Sequence, residues 1–414
     1  MTSAPVSSLP RPFRLLAASN LAAQTAEQLA LAASPIIAVL AFDAREGATG
    51  LLQTAQTLPF LLLSLPAGVL ADRFARRQLL LGGECIRLLS LIAALVLLAS
   101  GWLTLPWLAV LGMLGATGTV IYSVAGPALI PSIVSREMLA PANSRMELAR
   151  SAAFAAGPAT GGLLVGSIGA PAAFAIAAVL SLLALLLLRG IDEPPRERGP
   201  QRHPLREIAD GASFVLQHAL LRPVLFTAVF FNIGFFLIQA VYVPYAVHSL
   251  QLDAVGVGAT MGVFGVGMLA AALAGPRVMR TYRLGAIIAV GPLSGLAAAL
   301  LMLATVAWPS PWLAAASFFL MGSGPVLWVI SSTTLRQSVT PPALLGRVSA
   351  VIMTATWGAR PVGALIGAGI GTVAGAPWCL ALAVLAFTVQ AVIILRSPVF
   401  QLRQMPRAPY QVST

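Results

Sequence analysis

At 414 residues the chain is 58% hydrophobic and only 9% charged, with a mean hydropathy of +0.90, whereas soluble domains carry about 25% charged residues. Its net charge of +12 comes entirely from arginine, because all 25 basic residues are arginines. The absence of lysine excludes a GxxxxGK[ST] phosphate loop and Schiff-base chemistry, and the dispersed His203, His218 and His248 offer no metal-ligand spacing.

Apolar runs of the length that spans a hydrocarbon core, about 20 residues, follow one another along the chain. All are predicted helical, because a single segment in hydrocarbon must satisfy its own backbone hydrogen bonds. The first, 14–41, follows Arg11 and Arg14 and is too long for the apolar region of a cleavable signal peptide. Within it Asn20, Gln24, Glu27 and Gln28 fall at i, i+4, i+7 and i+8, one face of a helix. Glu27 lies 14 residues past Phe13, roughly 21 Å along a helix at 1.5 Å per residue. Ionisable residues inside a span are functional candidates.

Spans 48–71 and 78–100 flank a turn holding Gly68, Asp72, Arg73, Arg76 and Arg77. Glu84 and Arg87 in the third span, and Glu147 and Arg150 in the fifth, are spaced i, i+3 for local pairing; a tie to the arginines of the turn is also open to them. Cys85 and Cys379 lie far apart in apolar runs and indicate no disulfide framework. Span 105–130 carries Tyr122 and Ser123, span 143–166 carries Gly157-Pro158-Ala159-Thr160-Gly161-Gly162, and span 171–190 closes the first half. A hydrophilic connection from Arg189 to about Gln217 then carries Asp192-Glu193-Pro194-Pro195 and five arginines.

Spans 220–246, 254–275, 284–305, 311–335, 346–371 and 376–396 follow, with Asn232, Gln239 and Tyr242 in the first of them and Trp328 in the fourth. Arg360 lies 14 residues past Gly346, at the depth of Glu27. The halves repeat weakly at an offset near 207: Ala67-Gly68 matches Ala274-Gly275, Tyr122 matches Trp328, and Gly157-Pro158 stands where Arg360-Pro361 stands. The expected organisation is therefore a six-span bundle over 1–190, a linker over 191–217, and a second bundle over 218–414 with a short tail. Duplicated halves of this kind enclose a central site in many secondary transporters.

Every second loop is basic, and the opposite loops hold only Arg45. Basic loops stay cytoplasmic, so the expectation is twelve transmembrane helices with both termini in the cytoplasm. The spread of charge over many short loops suits lipid headgroups and topology rather than nucleic acid.

The run Gly68-Val69-Leu70-Ala71-Asp72-Arg73-Phe74-Ala75-Arg76-Arg77-Gln78-Leu79-Leu80 resembles G-x-L-A-D-R-x-G-R-R-x-x-L, the signature of the major facilitator superfamily, departing at Ala75 where glycine is usual. The resemblance implies that Gly68, Asp72, Arg73, Arg76 and Arg77 latch the two halves in the outward-facing state. Met279 stands where Asp72 would repeat, so only the first latch is complete. Gly157, Pro158, Gly161 and Gly162 resemble the G-P-x-x-G-G core of the drug:proton antiporter motif, which marks exporters more than importers. Glu84-Cys85-Ile86-Arg87, Ala142-Asn143-Ser144 and Leu345-Gly346-Arg347-Val348-Ser349 are similar to an exporter branch that holds macrolide efflux proteins and the enterobactin exporter.

The resemblance implies an all-α polytopic membrane protein with two pseudo-symmetric six-helix bundles. Spans 1, 4, 7 and 10 would be central, with Gln24, Tyr122, Asn232, Gln239, Tyr242 and Trp328 as cavity candidates. Glu27 and Arg360, from opposite halves, are expected to face that cavity and to couple protons to transport; a fixed buried ion pair is the alternative. The implied activity is not enzymatic and uses no cofactor or metal. It is proton-coupled export of a hydrophobic or amphipathic small molecule, such as a drug or siderophore, across a bacterial inner membrane. An importer or lipid flippase of the same fold is the alternative, and a monomer is the family default. The bacterial setting rests on the resemblance and on an alanine- and arginine-rich composition.

Overall fold

A computed structural model of the chain describes residues 10–135, 138–193, 204–341, 344–404 and 406, without the side chains of 65, 69, 72, 140, 204–207 and 276. The described residues form thirteen α-helices and no strand. They are α1 (Arg11–Phe42), α2 (Glu46–Arg73), α3 (Arg76–Ala99), α4 (Leu105–Ile133), α5 (Leu139–Ser167), α6 (Ala170–Arg189), α7 (Pro204–Gln217), α8 (Leu221–His248), α9 (Ala254–Thr281), α10 (Leu284–Ala304), α11 (Pro311–Val339), α12 (Leu345–Ala374) and α13 (Ala376–Leu395). A 3₁₀ turn, Pro398–Gln401, follows.

Local chemistry sets the ends. Proline stands in the first turn of α1, α4, α6, α11 and α13, where its missing N–H costs nothing. Asp253 caps α9 by accepting the Gly256 N–H at 2.8 Å. Gly169 (φ 106°) and Gly375 (φ 79°) make the α5–α6 and α12–α13 turns in left-handed backbone. These glycines lie 206 residues apart, as do the starts of α4 and α11, of α5 and α12, and of α6 and α13.

Nine helices among the described residues are long and apolar enough to cross a membrane by length and composition: α1, α3, α4, α6, α8, α9, α10, α11 and α13. The three other long helices are α2, α5 and α12; α2 carries Gln53, Thr54, Gln56 and Thr57, α5 carries Arg145, Glu147 and Arg150, and α12 carries Arg347 and Arg360. All three pack at the meeting of two helix sets. Within the first set α1 packs on α5 and α6, and α4 on α2 and α3; within the second α8 packs on α12 and α13, and α11 on α9 and α10. Between the sets α12 packs on α2, and α5 on α9.

Glycine makes those crossings close. A Cβ on Gly162 of α5 would lie 2.4 Å from the Ala254 carbonyl and 2.6 Å from the Gly258 Cα of α9. One on Gly50 of α2 would lie 2.6 Å from the Ala368 Cα of α12. Thr49 Oγ1 donates to the Ala240 carbonyl at 2.8 Å, joining α2 to α8. These contacts close the end of the molecule opposite the arginine-rich turns. At the basic end a Cβ on Gly68 or Gly346 would meet nothing within 4 Å.

Two features depart from expectation. The connection after α6 contains a helix, α7, which lies on the start of α12: a Cβ on Gly211 would meet the Arg347 backbone at 2.9 Å, and Arg347 Nη1 donates to Asp210 Oδ2 at 3.0 Å. Glycine pairing also corrects one match of the repeat, Gly157-Pro158 with Arg360-Pro361, while the offset near 207 agrees with the helix starts. Gly157 and Gly161 of α5 abut α1 at Gln28 and Ala32, while Gly363 and Gly367 of α12 abut α8 at Ile233 and Ala240. The counterpart of Gly157 is therefore Gly363, 206 residues on, and Arg360-Pro361 lies three residues earlier.

Candidate functional site

A cavity of about 880 Å³ lies between the two sets. It reaches solvent at the basic end, where the exposed Glu147 and half-exposed Arg150 line it. Aromatic rings form much of its wall: Phe60, Phe231, Phe235, Phe236, Phe264, Trp328 and Trp357. Phe231 and Phe235, one turn apart on α8, stack with centroids 5.9 Å apart.

Glu27 and Arg360 both line this cavity. Arg360 Nε donates to Asn232 Oδ1 at 3.3 Å. Its guanidinium lies 5.0 Å from the Phe60 centroid, 5.5 Å from Phe236 and 5.6 Å from Trp357. Phe60 comes from α2 of the other set and meets Trp357 edge-on at 5.5 Å. Each desolvated cation–ring contact contributes up to about 2 kcal/mol, so three faces hold the guanidinium in place without neutralising it. Glu27 stands beside Thr119 and within electrostatic reach of Arg87 and Arg360. Among the described residues neither Glu27 nor Arg360 forms an ion pair.

The other charges of the cavity are matched. Arg87 Nη1 bonds Glu84 Oε2 at 2.5 Å and Nη2 bonds Thr119 Oγ1 at 2.9 Å, while Ser181 Oγ donates to Glu84 Oε1 at 2.6 Å. Glu84 and Arg87 are buried, and their partners are α4 and α6 rather than the arginines of the α2–α3 turn. Arg150 pairs with Glu147 at 2.5 Å and lies over the Phe154 ring. Setting these two pairs aside leaves one carboxylate and one guanidinium, from opposite sets.

Several hydrogen-bonding atoms of the wall lack protein partners among the described residues: Gln56 Oε1, Arg87 Nε, Thr227 Oγ1, Trp328 Nε1 and Gln390 Oε1.

Of the six residues expected to line the cavity, Asn232, Gln239 and Trp328 do so. Gln24, Tyr122 and Tyr242 do not. The Tyr122 hydroxyl lies 3.3 Å from Ser19 Oγ inside the first set, and Tyr242 is fully buried, bonded to Thr260 and edge-on to Phe318. A central helix shows only one face to the cavity, and packing turns these side chains to another. Gly157 and Gly161 face α1, Gly162 faces α9, and Pro158 lines the cavity.

In the α2–α3 turn Arg73 is exposed, and the Asp72 side chain lies outside the described residues. The exposed N–H groups of α3 are met by another acid: Glu193 accepts from the Arg76 and Arg77 backbone N–H at 3.1 and 2.8 Å. Arg77 Nη2 donates to the Arg189 carbonyl at 2.7 Å, fastening the turn to the end of α6. Sequence reasoning missed Glu193 and the ring cage. Trp357, three residues before Arg360, and the phenylalanines of 226–236 were the available signals.

A family model described as Major Facilitator Superfamily matches residues 16–364. The chain is 27% identical over 321 residues to the protein named Enterobactin exporter EntS of Escherichia coli O127:H6 (strain E2348/69 / EPEC), covering 73% of this chain and 72% of that one. It is 26% identical over 320 residues to the protein of that name from Citrobacter koseri, with the same coverage. Its fold is similar to a bacterial homologue of the iron transporter ferroportin in the inward-facing state, with TM-score 0.72, 16% identity, and 94% and 99% of the two chains covered. A bacterial homologue of the human lysosomal transporter Spinster, inward-facing and unoccupied, gives TM-score 0.71, 14% identity, and 95% and 98% coverage.

Proposed function

The chain belongs to the major facilitator superfamily, and from that premise we propose that it exports an amphipathic, ring-containing small molecule, such as a drug or siderophore, in exchange for protons. The observation that carries this reading is the aromatic cavity between the sets, holding one unmatched carboxylate and one unmatched guanidinium. Its volume lies within the range of small-molecule sites, about 300–1,000 Å³. The relatives named as exporters and the Gly157-Pro158…Gly161-Gly162 core support efflux.

In this reading all twelve long helices cross a bacterial inner membrane, α2, α5 and α12 sheltering their polar faces between the sets. The basic end is cytoplasmic, so the cavity opens to the cytoplasm. The bundles of 1–190 and 218–414 rock about the cavity as a monomer, joined by 191–217. Gly68, Asp72, Arg73, Arg76 and Arg77 come together with the second set in the outward-facing state; a Cβ on Gly68 would meet no neighbour within 4 Å in the present state.

The remaining charge sets the coupling. With Glu27 ionised, it and Arg360 sum to zero; with Glu27 protonated, a single positive charge remains. Export by exchange needs a substrate that binds the ionised form, which suits a neutral or cationic aromatic compound. An anion drawn to Arg360 would instead bind together with the proton, and Arg360 thereby favours a second reading, proton-coupled import. The two readings are separated in vesicles of known orientation carrying a panel of macrolides, lipophilic cations and siderophores. Accumulation in acid-loaded inside-out vesicles supports export; accumulation only in right-side-out vesicles under external acid supports import.

A further inference from the structure

A second cleft, of about 280 Å³, lies apart from the central cavity, where the first turn of α8 meets the end of α13. Ala219, Arg222, Pro223 and Phe226 line one side, and Ile393, Arg396, Ser397 and Pro398 the other. Both arginines are exposed, and neither has a side-chain partner among the described residues. None of the eight lining residues is acidic.

Two features make an anion seat above an apolar floor. Two guanidinium groups flank the opening. The partial positive charge at the α8 N-terminus and the partial negative charge at the α13 C-terminus meet at the cleft and largely offset one another, so the two guanidinium groups carry its charge. One turn further into the helices, Phe226 is 40% exposed and Ile393 half-buried, on the side away from the arginines' level. The seat is held in shape by the chain that follows α13. The Gly285 N–H donates to the Leu402 carbonyl at 2.9 Å, and Arg283 lies 5.2 Å from the Phe400 centroid.

We propose that this cleft binds the phosphate of an anionic phospholipid, with Arg222 and Arg396 on the headgroup and Phe226 and Ile393 against the upper acyl chain. Both arginines stand at helix ends on the basic side, at headgroup depth, and basic pockets between transmembrane helices on that side take such headgroups. A small free anion would use the arginines alone and leave the apolar floor unused, so the chemistry shared by both sources is phosphate and the chain is what separates them. The lipid would brace α8 against α13.

The test is native mass spectrometry of the full-length protein in dodecylmaltoside micelles titrated with phosphatidylglycerol. Each arginine near an anionic surface contributes about fivefold in affinity. Arg222→Ala/Arg396→Ala should therefore weaken the tightest phosphatidylglycerol site about 30-fold, while Arg277→Ala/Arg280→Ala, another exposed pair at the basic end, leaves it unchanged. Millimolar inorganic phosphate should fail to displace the lipid. Equal weakening by both pairs would reduce the effect to general surface charge and overturn the site. Displacement by inorganic phosphate would overturn the lipid assignment in favour of a small anion. Retained binding in the Arg222/Arg396 variant, its mass and helix content being those of wild type, would overturn the proposal outright.

Discussion

A methyl group added at Gly162 should shift this protein toward the state in which the far end is open. The Cβ of Gly162→Ala would lie 2.4 Å from the Ala254 carbonyl oxygen and 2.6 Å from the Gly258 Cα, about 1 Å inside ordinary contact. Both obstacles are backbone, so no side chain can swing aside, and α5 must part from α9. Overpacking of this kind costs about 1–3 kcal/mol. Because α5 and α9 belong to different sets, the cost falls only on the state that closes them, and the equilibrium moves by about 5- to 150-fold. Gly157→Ala is the control. Its Cβ would lie 2.3 Å from the Gln28 Cβ, an equally severe contact, but within one set and so present in both states. Ser34 lines the cavity on α1, and Ser34→Cys with Cys85→Ser gives a reporter; Cys379 is fully buried and can stay. In right-side-out vesicles an impermeant maleimide should label the introduced thiol about 5- to 150-fold faster in Gly162→Ala and within about twofold of the parent in Gly157→Ala, a bound on the order of assay scatter given that its cost cancels between states. Equal rates in the two variants would refute the argument that the α5–α9 crossing is state-specific.

Other consequences are simpler to measure. Glu84→Gln leaves Arg87 buried without its counter-charge and should cost about 3–5 kcal/mol in detergent unfolding; Glu84→Met/Arg87→Met should recover most of that, and a fully stable single variant would contradict the network. Arg360→Lys keeps the charge but loses the planar stack on Phe60, Phe236 and Trp357, so transport should fall about as far as in Arg360→Ala, on the order of tenfold or more; wild-type rates in the lysine variant would rule out the cage. His218, outside the spans, accepts the Leu220 N–H at Nδ1, and burial lowers its pKa. The neutral ring therefore belongs to the folded α7–α8 junction. Stability there is present above the ordinary histidine value of about 6.5 and is lost as pH falls through it toward the folded value. The protection of amides 218–222, exchange being taken relative to its intrinsic rate at each pH, should fall below that pH in wild type and lose this pH step in His218→Gln.

Helix positions were legible because the hydrocarbon core imposes both length and apolarity, and the predicted spans differ from the helices mainly at frayed ends. The depth of Glu27 and Arg360 was legible for the same reason: counting residues from a span's start gives height, and both line the cavity. Rotation about a helix axis was not legible. Tyr122 and Tyr242 sit in central helices, yet contacts with Ser19, Thr260 and Phe318 turn them inward to packing. One match of the repeat falls three residues out of register in the sequence because two prolines, Pro158 and Pro361, are conspicuous there, while the close approaches of Gly157 and Gly363 to their neighbours are not. Helix α7 was hidden by the polar composition of its segment, although Val215 is fully buried. The spacing of Arg87 shows only a local pair, and its place on the cavity wall comes from α4 and α6, which only the folded chain brings to it.

The central claim is that Glu27 carries the proton exchanged for substrate. Inside-out vesicles loaded to an acidic interior test it directly, by recording proton release on addition of the macrolide, lipophilic-cation and siderophore panel. The account predicts substrate-triggered proton efflux in wild type and none in Glu27→Gln, with the variant still binding the same compound. Proton efflux undiminished in Glu27→Gln would contradict it.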